Sequence, residues 1–149
     1  MKRLEERIRT HWFATSFGGG LIFGSQFLFL AMLTLWYARF VPALTLVPSI
    51  LVGISLICGF ILLTLAIFPA LSTWKARLII GVSMFSLVSL YNFAILSILV
   101  LLFGILTFVG LSVMYSMLIV GAILGLLGGL RMLRRVEETK LQNHDLRLP

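Results

Sequence analysis

Charged residues in this chain gather at its two ends and at two short internal points, and long uncharged apolar runs separate them. The longest run, residues 78–130, holds 53 positions without Asp, Glu, Lys, Arg, His or Pro. One helical crossing of a bilayer needs about 20 apolar residues. The run therefore predicts two crossings joined by a tight turn, placed near residues 103–110 by Gly104 and Gly110. Lys75 and Arg77 stand before it and Arg131, Arg134 and Arg135 after it, so both feet of that hairpin lie on one side.

The preceding runs read the same way. A first span over residues 13–37 has Trp12 at its start and Trp36 and Tyr37 at its end, the aromatic positions expected at the two membrane interfaces. It is about twice as long as a signal-peptide core of 7–15 residues and has no small-x-small cleavage site, so it reads as a retained span. A second span over 46–68 follows Arg39 and a Pro-marked link, with Pro48 expected in its first turn and Pro69 ending it. The loop of residues 69–77 carries Trp74 as a further interface anchor. The third and fourth spans are expected over 78–101 and 107–130. Residues 1–11 place Met1, Leu4, Ile8 and Trp12 on one helical stripe. They read as a helical extension of the first span in preference to a separate surface helix. The chain thus divides into a basic segment (1–11), a four-span domain (12–130) and a basic tail (131–149), of which the last eight residues read as a disordered end.

Composition agrees with the pattern. Hydrophobic residues make up 60% of the chain and charged residues only 11%, against a globular norm near 25% charged. The net charge of +7 would point to nucleic acid in a soluble domain. Here the basic residues adjoin spans, so anionic lipid headgroups are the expected partner and no nucleic acid is. Lys2, Arg3, Arg7 and Arg9 precede the first span, Lys75 and Arg77 lie in the 69–77 loop, and Arg131, Arg134, Arg135, Lys140 and Arg147 follow the fourth span. The opposite side has Arg39 alone. This bias predicts an all-α, antiparallel four-helix membrane bundle with both termini in the cytoplasm, in the inner membrane of a bacterium or archaeon.

Little chemistry is visible in the spans. The acidic residues Glu5, Glu6, Glu137, Glu138 and Asp145 all fall in the tails, as do His11 and His144. Proton relays, ion-coupled carriers and voltage sensors use ionisable groups within the membrane, and haem needs axial ligands such as His. Cys58 is the sole cysteine, so the chain has neither an internal disulfide nor a redox pair. The expectation is a non-enzymatic protein without metal or cofactor.

The spans do carry small residues at helical spacing. Ser16, Gly20 and Gly24 recur every four positions, as do Gly121, Gly125 and Gly129. Such patterns let helix backbones approach closely in lipid. They predict packing surfaces, either within the bundle or toward a partner. Gln26 and Asn92 fall at matched mid-membrane depth and are expected to meet, with Cys58, Tyr91 and Tyr115 nearby. An unpaired amide in hydrocarbon costs several kcal/mol. Interhelical hydrogen bonding is favoured over a ligand pocket. Ser83, Ser86 and Ser89, spaced by three, should drift around an α-helix instead of lining a pore. The function these features favour is an accessory or structural subunit that packs through its glycine faces in a larger membrane complex or with itself. The alternative is a small oligomeric channel or transporter with its pathway between protomers.

Overall fold

The computed structural model describes residues 2–32, 42–68, 71–91 and 105–145, with side chains described over 12–31, 47–68, 71–91 and 109–142. Four helices account for nearly all of them: α1 (Lys2–Met32), α2 (Pro42–Ile67), α3 (Thr73–Ser86) and α4 (Ile105–Asp145). A 3-10 segment, Leu87–Leu90, continues α3. No strand occurs among the described residues. All four helices are long and apolar enough to cross a membrane, over Trp12–Ala31, Val47–Ile67, Thr73–Leu90 and Val109–Gln142. The described residues are thus helical apart from short connections, with four helices of the length and composition that a multi-pass membrane protein requires.

Three helix starts differ from expectation. The second helix begins at Pro42, so Pro48 lies inside it and not in its first turn. Pro42 suits a first helical position because its missing N–H would have had no partner there, and interior proline is tolerated in membrane helices. The third helix begins at Thr73, five residues before the expected 78. Ser72 is its N-cap: the Ser72 side chain accepts a hydrogen bond from the Lys75 backbone N–H at 3.2 Å, and the Ala76 N–H donates to the Ser72 carbonyl at 3.1 Å. The cap satisfies donors that a helix start otherwise leaves unpaired. The fourth helix begins at Ile105, so Gly110 is helical and residues 105–110 hold no turn. Residues 92–104 lie outside the described residues.

Lys75 helps to close the α2–α3 connection. It is 7% exposed, and its ammonium donates to the carbonyl of Phe68, the residue that follows α2. A cation there satisfies a carbonyl that a helix C-terminus leaves open and complements the helix dipole.

The core forms where the four helices meet. Ile22 and Phe29 of α1, Val52 and Leu62 of α2, Ala76 and Ile79 of α3, and Leu111, Leu118 and Ala122 of α4 are buried in it. Phe29 and Tyr115 meet edge to face, ring centroids 5.9 Å apart. The outer surface is also apolar: Phe13, Phe27, Ile57, Phe60, Val113 and Ile123 are exposed. Soluble proteins rarely present such continuous apolar surface. Beyond residue 130, α4 continues without a break, and Met132 is still buried against the core.

Candidate functional site

The interior is held by glycines and serines. On α1, Gly18, Gly19 and Gly20 follow one another, and successive residues of an α-helix point about 100° apart (3.6 per turn). Gly18 faces α4: a Cβ built there would stand 2.6 Å from the Gly121 carbonyl oxygen and 2.8 Å from the Gly125 nitrogen. Gly19 faces α2, with Leu62 Cβ and Leu63 N each 3.0 Å from the same construction. Gly59 of α2 completes that contact: a Cβ built there would stand 2.7 Å from the Phe23 nitrogen. Gly20 faces outward, and a Cβ built there would meet nothing within 4 Å. These approaches put backbone against backbone, where dispersion contact substitutes for the weak hydrophobic drive between helices in lipid.

The two expected glycine faces therefore have different fates. Gly121, Gly125 and Gly129 are buried. A Cβ at Gly121 would lie 2.8 Å from the Gly18 carbonyl oxygen, one at Gly125 would strike the Ser83 hydroxyl, and one at Gly129 would lie 2.7 Å from Ile80 Cγ1. Gly20 and Gly24 take no part in internal packing, since a Cβ at either would meet nothing within 4 Å. Ser16 is half-buried beside them. With Trp12, Phe13, Phe17 and Leu21, Ser16 and Gly20 form a shallow outward cavity of about 320 Å³. Gly18 and Gly19, absent from the expected set, are the α1 glycines that face inward.

A seam of buried polar side chains crosses the core. Gln26 is 3% exposed, and the Ser89 hydroxyl donates to its Oε1 at 3.3 Å. Asn92, the expected partner, lies outside the described residues. Ser55 of α2 donates to the Ser86 carbonyl at 2.8 Å, across the α2–α3 contact. Ser83 and Ser86 donate to the carbonyls of Ile79 and Ser83, each at 2.7 Å, and Ser25 donates to that of Ile22 at 2.9 Å. Ser83, Ser86 and Ser89 are all buried, against the expected drift around the helix. The reason is the 3-10 segment: at three residues per turn Ser86 and Ser89 fall on one face. Tyr115 is buried against Phe29, whereas Tyr91 is exposed.

Trp12 and Trp74 are exposed, as interface anchors would be. Trp36 and Tyr37 lie outside the described residues, as do the side chains of Lys2, Arg3, Arg7 and Arg9. Arg77, Arg131 and Arg134 are exposed and Arg135 is half-buried. Lys75 is the exception among the described basic residues near the spans, since its ammonium is turned inward to the Phe68 carbonyl.

A second cavity, of about 560 Å³, opens between α2 and α3. Its walls are apolar, Cys58 contributes to one of them, and Arg77 stands at one end. No group of three or more His, Cys, Asp or Glu that could hold a metal occurs among the described residues. Compared with known protein families, with curated proteins and with solved structures, the chain matches none of them.

Proposed function

We propose that this protein is a non-enzymatic accessory or structural subunit that packs by its first span against a larger membrane complex. The observation that carries the reading is the split between its small-residue faces. Gly18, Gly19, Gly59, Gly121, Gly125 and Gly129 are occupied within the chain, whereas Ser16, Gly20 and Gly24 leave an open, shallow face on α1. A helix of another subunit fits such a face because small residues let its backbone come close. The interior polar groups favour the same reading, since the serines of the core bond to carbonyls or to Gln26.

In this account the bundle is antiparallel between neighbours, with both termini in the cytoplasm of a bacterial or archaeal cell. Gly18 meets Gly121 and Gly125 while Phe29 meets Tyr115, so rising numbers on α1 meet falling numbers on α4, as an antiparallel pair requires. The basic residues, eleven on one side and Arg39 on the other, favour the cytoplasmic placement. Anionic lipids would meet the exposed basic feet.

Native mass spectrometry of protein gently extracted from its own membrane tests the proposal. The expected result is a heteromeric complex of fixed stoichiometry that Gly20→Leu disrupts while the isolated chain melts unchanged. A homo-oligomer in its place would favour a channel between protomers, and a complex indifferent to Gly20→Leu would remove α1 as the docking face.

A further inference from the structure

The α2–α3 cavity is lined by Ile54, Ile57 and Ile61 on one side and by Val82 and Phe85 on the other, with Gly81 between them. Gly81 is exposed, and a Cβ built on it would meet nothing within 4 Å. The missing side chain keeps the groove open. Arg77 lies at one end, itself exposed. The acidic residues all belong to the two tails, and no ion pair engages Arg77 among the described residues. From Arg77 to Phe85 the helix rises by about 12 Å at 1.5 Å per residue. Half of a hydrocarbon core of about 30 Å is about 15 Å, so the groove spans close to one leaflet. Trp74, 70% exposed, precedes Arg77 by three residues on the same helical face, at the level where indoles meet headgroups.

We propose that this groove holds one acyl chain of an anionic phospholipid, with the lipid phosphate at the Arg77 guanidinium. Length, polarity and charge agree on that occupant. The walls match a hydrocarbon chain laid along the helices, and the volume lies in the range of about 300–1,000 Å³ typical of small-molecule sites. The planar guanidinium offers paired donors to a phosphate, and basic pockets between membrane helices on the cytoplasmic side take anionic headgroups. The proposal rests on the membrane-spanning reading and is independent of the accessory-subunit reading.

The test is native mass spectrometry of the full chain, equilibrated in detergent with equal amounts of phosphatidylglycerol and phosphatidylcholine of identical acyl chains. Wild-type protein should retain one phosphatidylglycerol in preference to phosphatidylcholine by about fivefold, the factor one cation near an anionic surface supplies. Arg77→Gln should bring the two lipids to parity. Gly81→Leu, which fills the groove without touching the core, should release both lipids with the melting temperature unchanged. Arg134→Gln, at an exposed cation away from the groove, should leave the preference intact. Equal retention of the two lipids by wild-type protein would overturn the proposal, as would a preference that survives both Arg77→Gln and Gly81→Leu. A co-purified protein displaced by Gly81→Leu would also overturn it, by assigning the groove to a partner helix. Loss of a protein complex through Gly20→Leu is a separate observation in the same spectra, so the two readings fail separately.

Discussion

A methyl group added at Gly121 would stand 2.8 Å from the Gly18 carbonyl oxygen and 3.1 Å from the Ile22 nitrogen. Neither atom can yield without moving α1. Gly121→Ala should therefore cost about 1–3 kcal/mol, the usual penalty for overfilling a packed contact. Gly129→Ala should cost less, because its two nearest neighbours are side-chain carbons, Ile80 Cγ1 and Ile79 Cγ2, and the closest backbone atom, the Ala76 carbonyl oxygen, is 3.2 Å away. Gly24→Ala should leave stability unchanged or raise it by up to about 1 kcal/mol, since alanine is favoured over glycine in a helix. Unfolding in detergent, monitored by circular dichroism, orders the three. Gly24→Ala falling below Gly121→Ala would contradict the placement of these faces. The Ser89–Gln26 hydrogen bond calls for a double-mutant cycle with Ser89→Ala and Gln26→Leu. Coupling near the membrane-protein average of about 0.6 kcal/mol is expected, and strict additivity would remove the bond from the account. The inward placement of Gln26 was legible in the sequence because an amide within a span must find a partner. Its serine partner was not, because the chain tightens from α-helical to 3-10 spacing at Leu87, a change that counting at 100° per residue does not register.

At the scale of the helices, the starting point of α3 carries the clearest lesson. Lys75 and Arg77 read as a loop because charges in a span are expensive, which puts the expected start of the third span at residue 78. Ser72 was a capping residue in plain view, and the helix starts directly after it. The lysine stays within α3 because its ammonium meets the carbonyl beyond the end of α2, a contact between elements that linear spacing does not encode. Lys75→Met, which retains the stem and removes the ammonium, should destabilise the fold by about 1–3 kcal/mol through the unsatisfied carbonyl. Ser72→Ala should cost about 1 kcal/mol through loss of the cap. Arg77→Met should cost nothing in the same melts, and equal losses at Lys75 and Arg77 would refute the contact. The direction of the small-residue face on α1 stayed open for a related reason. Four-residue spacing picks out Ser16, Gly20 and Gly24 as one stripe, but says nothing of where the stripe points. The run Gly18-Gly19-Gly20 held the better clue, since three adjacent glycines let one helix face two neighbours and an opening at once.

Across the whole molecule, the number and rough position of the spans follow from charge alone. The water-free solvent dictates long apolar helices, and the basic clusters mark their ends. Reporter fusions after residue 149 and in the Arg39 link should give opposite sidedness, with the C-terminus cytoplasmic; the reverse pattern would invert the orientation proposed here. What lies outside the chain, by contrast, is readable only from surfaces left open once the bundle is closed. The central claim is that the Ser16–Gly20–Gly24 face, open in the closed bundle, is covered in the membrane by another subunit. Site-directed crosslinking in intact membranes tests it most directly. In a Cys58→Ser background, Gly20→Cys and Ile57→Cys would each carry the same short thiol-linked photoreactive probe. One discrete heteromeric product from position 20, absent from the outward-facing position 57, is the predicted result. No product at position 20, a product joining two copies of this chain, or the same products at both positions would contradict it.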